Sequence, residues 1–166
     1  VPTGTTKGSA GNTTITNNGA SRMFTITTSS TKKFRMSNFK ITGTYAGWDA
    51  AIVVLGNTKP SLGGGFRIDH LDSEITQTGS YAWRVIWINS PAYGVIDHNN
   101  LETQSMCIEV QHGGDTAANL SWNTAITFGI DNVYVEDNNL TNTHVSNANK
   151  MALDCGDGGR VTARYN

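Results

Sequence analysis

The chain has 166 residues, a formal net charge of −1 at pH 7 and only 15% charged residues. This length accommodates one domain with its own hydrophobic core, so we expect a single domain over residues 1–166. The near-neutral charge implies neither the basic surface typical of nucleic-acid-binding proteins nor the polybasic patch of membrane-surface proteins. The 22 threonines, 17 asparagines and 18 glycines favour strands and tight turns over helices.

In chain order, the first predicted elements are two short strands, near residues 13–16 and 23–27. A longer motif begins at Phe34 and then recurs about every 28 to 39 residues, a spacing that predicts stacked structural repeats. Its five copies are Phe34–Phe39, Phe66–Leu71, Gly94–Leu101, Val133–Leu140 and Val161–Asn166.

Each copy begins with alternating apolar and polar residues, as in Phe66-Arg67-Ile68-Asp69, which is the pattern of a half-buried strand. Most copies then reach Asn, His or Asp, residues that tolerate left-handed backbone and form turns. No helical periodicity separates the copies, so each strand must bury its apolar side against neighbouring repeats. The sequence therefore predicts a β-solenoid, in which coils of short parallel strands stack on one another.

A second set of apolar runs lies between the copies, at 50–55, 83–88, 106–110 and 151–155. Each run ends at or near a glycine or an asparagine, which predicts a turn. We therefore expect at least two strands in each coil, while polar inserts absorb the uneven spacing at 56–65, 113–128 and 141–149. Neither terminus resembles the cap that protects the end of a solenoid, so we expect further coils or domains of a larger protein.

Residues Gly8–Ile15 and Phe34–Gly43 resemble the opening coils of right-handed parallel β-helix proteins of the pectate lyase superfamily. The later segments Arg67–His70, Val95–Asn99 and Tyr134–Asn138 are similar to the repeats of secreted bacterial β-helix proteins. The resemblance implies an all-β, right-handed parallel β-helix of about five to six coils, located outside the cell or on its surface. That superfamily includes polysaccharide lyases, pectin-degrading hydrolases, esterases, phage tailspikes and non-catalytic carbohydrate-binding modules, so the fold alone does not choose the function.

If the apolar residues of each copy point inward, the following residues form an outward column of Ser37, Asp69, Asp97, Glu136 and Arg164. Neighbouring coils lie about 4.8 Å apart, so the three carboxylates would repel one another unless a cation, protonation or solvent relieves the repulsion. One hypothesis is a Ca²⁺ site of the kind that pectate lyases build on a strand face. A second is an acid/base pair, since about 5 Å suits a retaining glycosidase. The third is that these acids are solvated, turn-forming residues.

A lyase would also need a base, usually Arg or Lys, and Arg35, Arg67 and Arg164 lie beside the acidic column. No stretch matches a lyase motif, and the catalytic patterns of pectin-degrading hydrolases are absent from the sequence. His70 and His98 occupy equivalent positions of consecutive copies. A stacked pair there could bind a transition metal or act as a base, although turn formation alone also accounts for both residues.

Aromatic residues are the stronger indication of a ligand, because sugar rings present apolar C–H faces that stack on flat side chains. Trp83 and Trp87 share a face with Val85 by strand alternation, so we expect both tryptophans in the core. The expected ligand-binding residues are Trp48, Tyr81, Tyr93, Trp122 and Tyr134, together with Arg67.

The two cysteines, Cys107 and Cys155, lie on adjacent copies of the second strand set. A disulfide would join neighbouring coils, but the alternation points Cys107 outward and Cys155 inward, which argues against the bond. The alternative is two free thiols.

We therefore expect a secreted, non-catalytic polysaccharide-binding module, with a plant cell-wall polysaccharide as partner and neither nucleic acid nor membrane. Aromatic stacking and hydrogen bonds from Asn, Asp and Arg along a strand face would hold the polymer. One alternative is a calcium-dependent polysaccharide lyase, which would use Asp69, Asp97 and Glu136 for the metal and an arginine as base, or another carbohydrate-active β-helix enzyme. Another is a segment of a phage tailspike or surface fibre. Only the lyase alternative requires a cofactor, Ca²⁺.

Overall fold

The computed structural model describes residues 13–19, 21–29, 31–56, 65–78, 83–90, 92–111, 132–143, 151–156 and 159–166. These residues form fifteen strands in three parallel sheets of five, and none of them is helical. Sheet A contains β1 (Thr14–Thr16), β4 (Lys40–Tyr45), β7 (Asp72–Gln77), β10 (Asn100–Thr103) and β13 (Asn139–Asn142). Sheet B contains β2 (Phe24–Thr27), β5 (Asp49–Leu55), β8 (Trp83–Asn89), β11 (Met106–Gln111) and β14 (Leu153–Gly156). Sheet C contains β3 (Lys33–Ser37), β6 (Gly65–Asp69), β9 (Gly94–Asp97), β12 (Val133–Glu136) and β15 (Val161–Arg164).

The order of strands confirms the predicted parallel β-helix. Every neighbour in a sheet lies three strands away along the chain, and every pair is parallel. The chain therefore passes through sheets C, A and B in turn and returns one coil further along, through about five coils. The right-handed winding stays a prediction. Nowhere in the described ranges is there a helix long and apolar enough to cross a bilayer.

Each coil has three strands, one more than the minimum expected, because every repeat is bent in its middle. The bend is a residue with positive φ between sheet C and sheet A. Four residues occupy this bend, namely Asn38, His70, His98 and Asp137, and Tyr165 has the same conformation directly after β15, with φ between 53° and 66° in all five. Asn, Asp and His tolerate this left-handed conformation better than most residues, so the motif that marks the repeat in the sequence is also the corner of each coil.

The inward faces of the three sheets form one continuous apolar interior. The register pairs Met36 with Ile68, Ile68 with Ile96, and Ile96 with Val135, as the repeat alignment predicts. Beside these columns, at the corner, a row of side-chain amides runs from the buried Asn99 and Asn138 to the exposed Asn166. Each of these amides also donates to a backbone carbonyl of the preceding coil.

Sheet B departs from strict alternation. In β8, the consecutive residues Val85 and Ile86 both belong to the interior, so Trp87 points away from it. The expectation that both tryptophans share one face is therefore wrong, although both are buried. Trp83 stacks on Tyr45 inside the solenoid with 4.1 Å between ring centroids, whereas Trp87 packs outside it against Ala50 and Val53.

The same irregularity corrects the expectation for the cysteines. Cys107 was expected to point outward, but it is buried in the interior together with its neighbour Ile108. Cys155 aligns with the inward residue Val110 and is exposed. Both thiols are free.

Candidate functional site

The predicted acidic column exists on sheet C, with Asp69 beside Asp97 and Asp97 beside Glu136. Its two aspartates are not solvated, however. Asp69 is 0% exposed and Asp97 is 5% exposed. A carboxylate removed from water in this way requires partners that replace its hydration.

Arginines from the same sheet supply those partners. Arg35, on β3, donates from Nε and Nη2 to the two oxygens of Asp69 at 2.8 and 2.5 Å. Arg67, on β6, makes the same bidentate contact with Asp97 at 2.9 and 2.5 Å. Bidentate arginine–carboxylate pairs are the stronger class of charge-assisted hydrogen bond, and here each one links two consecutive coils.

The third acid of the column is paired from the opposite direction. Position 95, the next in the arginine column, is valine, so no guanidinium precedes Glu136. Glu136 instead pairs with Arg164 of the following coil at 2.6 Å. Three carboxylates are thus matched by three guanidinium groups.

The arginine pairs remove the original reason for expecting Ca²⁺ at this column, but they do not test whether Ca²⁺ binds there. The repulsion between stacked carboxylates, which motivated a Ca²⁺ site at Asp69, Asp97 and Glu136, is relieved by the arginines. Over the parts of the chain that the structure describes, no three His, Cys, Asp or Glu side chains are grouped so as to hold a metal ion. The calcium site stays a prediction.

The two corner histidines extend the same network. His70 Nδ1 lies 2.8 Å from Asp69 Oδ2, and His98 Nδ1 lies 2.9 Å from Asp97 Oδ2. The imidazole rings stack on each other with 5.3 Å between centroids and 10° between planes. Burial raises the pKa of Asp69, but the hydrogen bonds from Arg35 and His70 and the positive charges of Arg35 and Arg67 outweigh that effect and hold the pKa below its usual value of 3.8.

The predicted sugar-contacting aromatics fall into different environments. Trp48 is 58% exposed, whereas Tyr93 is only 8% exposed and offers little surface to a ligand. Tyr134 is partly exposed on sheet C, where the Arg164 guanidinium lies 5.9 Å from its ring centroid. Tyr81 and Trp122 lie outside the described residues.

Trp48 stands at the corner between sheets A and B, above a buried cation. The guanidinium carbon of Arg84 lies 4.3 Å from the centroid of Trp48 and 4.7 Å from that of Trp87, so both indoles contact one guanidinium group. Arg84 itself is only 1% exposed. Contact of this kind with a desolvated guanidinium is worth about 2 kcal/mol, which favours a fixed position for the exposed indole.

A hydrogen-bonded network on β8 and β11 holds Arg84 in place. Its Nε donates to Glu109 Oε2, and Glu109 Oε1 accepts from Gln111 Nε2 at 2.8 Å. The side-chain oxygen of Gln111 accepts from Trp87 Nε1 at 3.0 Å. We call Trp48, Arg84, Trp87, Glu109 and Gln111 the tryptophan–arginine cluster.

The sequence analysis identified Trp48 as a candidate but did not identify the residues that hold its indole in place. Arg84 and Glu109 each interrupt an apolar strand, which is the one signal that could have identified them. A charge amid buried residues has to find an opposite charge. The available partner could not be recognised until the two strands were placed side by side.

Comparison with known proteins provides no assignment for this site. No protein family, curated protein or solved structure matches the chain.

Proposed function

We propose that this protein is a non-catalytic polysaccharide-binding module in which Trp48 provides the stacking surface. The observation that carries the proposal is the exposed Trp48 indole held over the buried Arg84 guanidinium. A sugar ring needs a flat apolar surface whose orientation is already fixed, because ordering a mobile side chain on binding costs about 0.5 to 1.5 kcal/mol. The tryptophan–arginine cluster meets that requirement before any ligand arrives.

The repeating surface of the parallel β-helix favours a polymeric ligand. Its polar outer faces repeat about every 4.8 Å along the stack, so a chain molecule can make similar contacts on successive coils. On sheet C these contacts would come from Arg67 and Tyr134, which lie in one outward column. Plant cell-wall polysaccharide is the proposed ligand class, and membership of the pectate lyase superfamily and secretion are proposed with it from the resemblance of the repeats.

Affinity electrophoresis against a panel of soluble plant polysaccharides tests the proposal. We expect the wild-type protein to be retarded by at least one polymer, Trp48→Ala to lose most of that retardation, and Trp48→Phe to keep part of it. Tyr165→Ala is the matched control, because it removes another exposed aromatic that is not part of the cluster. Retardation that is equal in wild type and Trp48→Ala would contradict the role of Trp48.

The same gels separate binding from catalysis. After the run, the length of the embedded polymer is measured. Intact polymer is expected from a binding module, whereas shortened polymer would identify an enzyme and return attention to the lyase alternative. A calcium-dependent lyase would further lose its activity when a chelator is added.

A further inference from the structure

The histidine pair has a geometry that turn formation does not require. His70 and His98 occupy the same corner position of consecutive coils, with φ of 54° and 56°. Because their backbones match, their side chains leave the corner in the same direction, and the rings stack within 10° of parallel. Asn38 occupies the same position one coil earlier with φ of 66°, so the corner itself needs no imidazole.

Each imidazole is oriented by a buried carboxylate. The Nδ1 atoms lie against Asp69 and Asp97, and those aspartates are in turn clamped by bidentate arginines. An ionised carboxylate can only accept a hydrogen bond, so Nδ1 of a neutral ring carries the proton and Nε2 carries the lone pair. Neither Nε2 has a hydrogen-bond partner among the described residues, and both rings are partly exposed.

An imidazole whose far nitrogen donates to a carboxylate is the usual arrangement behind a metal-binding histidine. The neutral Nε2 it presents suits Zn²⁺, Cu²⁺ and Ni²⁺ rather than Ca²⁺ or Mg²⁺, which prefer oxygen. Here the arrangement occurs twice, one coil apart and on one face.

We propose that His70 and His98 together bind one transition-metal ion of the Zn²⁺ and Cu²⁺ type through their Nε2 atoms. A shared ion requires the two nitrogens to be within about 4 Å of each other, twice a Zn–N bond of about 2.0 Å. The ring centroids lie 5.3 Å apart and the rings are nearly parallel, so both rings must rotate toward each other for one ion to reach the two Nε2 atoms. No third protein ligand is preformed within the described ranges, so water completes the coordination. The carboxylate of Asp137, at the same corner position one coil further, lies next in the column.

This site is separate from the tryptophan–arginine cluster and from the predicted calcium site, which would use the carboxylates instead. It does not depend on sugar binding, so either proposal can fail without the other.

Calorimetric titration of the chelator-treated full chain with Zn²⁺ tests the inference, using His70→Asn, His98→Asn and the double variant. Asparagine is the chosen replacement because the corner already accepts it at Asn38. We expect one Zn²⁺ per wild-type chain and at least tenfold weaker binding in each single variant, with little further loss in the double variant. His112 and His144 remain in every protein and report the background of unrelated histidines.

Two results would overturn the inference. Equal affinity in wild type and the double variant would place the metal elsewhere. Two weak, independent sites in wild type, each removed by one single variant, would show that the histidines do not share an ion. Long-range ¹H–¹⁵N NMR of the wild-type imidazoles gives a second readout that needs no variant. We expect Zn²⁺ to shift both Nε2 resonances and leave both Nδ1 nitrogens protonated.

Discussion

Asp69 is the residue whose charge the fold protects most completely. It is buried, and it accepts hydrogen bonds from Arg35 and His70. Since its pKa is lowered in the folded protein, the unfolded chain binds the proton first as the pH falls. The stabilisation from Asp69 is therefore complete at neutral pH and is lost as the pH falls below about 4, through the lowered native pKa.

The variant Asp69→Asn is expected to lower the free energy of unfolding by about 1 to 3 kcal/mol at pH 7, because charge-assisted hydrogen bonds are lost in a buried place. The loss should shrink between pH 5 and pH 2, as the wild type itself weakens. Urea unfolding across that range measures both effects. Glu74→Gln is the control, since Glu74 pairs with Lys40 at 2.8 Å but is exposed. We expect it to change stability by less than about 1 kcal/mol. A pH-independent loss in Asp69→Asn would contradict the argument.

The sequence predicts which acids share a column but not how they are neutralised. The repeats align Asp69 with Asp97 and with Glu136, and the structure keeps that register. Their burial depends on guanidinium groups that reach across from the neighbouring coil. The sequence does not show which coil each arginine pairs with. Arg35 and Arg67 pair with the acid of the following coil, whereas Arg164 pairs with the acid of the preceding coil.

At the scale of elements, the corner between sheets C and A depends on the asparagine row. The Asn138 side-chain oxygen accepts from the backbone N–H and the side-chain amide of Asn99. Its two side-chain N–H groups are shared among the carbonyls of Ile96 and Glu136 and Asn166 Oδ1. Leucine would fit the available space, since Leu71 occupies the equivalent position. It would leave the buried Asn99 N–H and the Ile96 carbonyl without these partners.

We therefore expect Asn138→Leu to destabilise the protein by about 2 to 4 kcal/mol, the sum of two or three unsatisfied buried groups. Asn139→Ala is the control, because the neighbouring Asn139 is exposed and its side chain makes one bond, to Asn100. A change of less than about 0.5 kcal/mol is expected there. Thermal unfolding followed by circular dichroism compares the two, and equal losses would mean that the row adds nothing beyond a surface amide.

Gly94, at the start of β9, marks a close approach between coils. A Cβ atom there would lie 2.3 Å from the Phe66 carbonyl oxygen and 2.7 Å from the Phe66 ring. Backbone of a neighbouring coil cannot yield as a surface side chain can, so we expect Gly94→Ala to cost about 1 to 3 kcal/mol. Gly156→Ala, where the nearest atom is a Gln111 side-chain nitrogen at 3.7 Å, should be nearly neutral. The midpoints of denaturant unfolding decide between these outcomes.

The strands show where pattern reasoning succeeds and where it fails. Alternation identifies the inward residues of sheet C, because each of those strands alternates from end to end. In sheet B it fails at Trp87 and at Cys107, because two consecutive residues of β8 and of β11 turn inward. The residues on both faces of these two stretches are apolar, so the hydrophobic pattern alone does not reveal the extra inward residue.

At the scale of the whole molecule, the recurring motif was sufficient to predict a parallel solenoid. The sequence predicted at least two strands in each coil, whereas the structure has three. The difference arises because the left-handed residue divides each copy of the motif into two strands, one in sheet C and one in sheet A. The candidate site was predicted only at Trp48. Its supporting residues come from two coils, and the pairing of Arg84 with Glu109 exists only after the coils have stacked.

The stacked coils should also keep chemical reagents out of the interior of the folded protein. Burial raises the pKa of the Cys107 thiol to about 12, and the folded solenoid encloses it. Cys155 is exposed, with a pKa raised by partial burial and by the charge of Asp154. Because the thiolate is the reactive form, we expect alkylation at pH 8 to label only Cys155, and slowly, in the native protein.

Labelling of Cys107 should then require the solenoid to open, so its rate in low urea should follow the free energy of unfolding. Mass spectrometry of the alkylated peptides measures both sites in one experiment. Cys155→Ser provides the control, since this variant should take up no label while folded and one label when unfolded. Rapid alkylation of Cys107 in the native state would show that the coils separate locally around β11. The interior would then be held together by independent coils rather than by one cooperative stack.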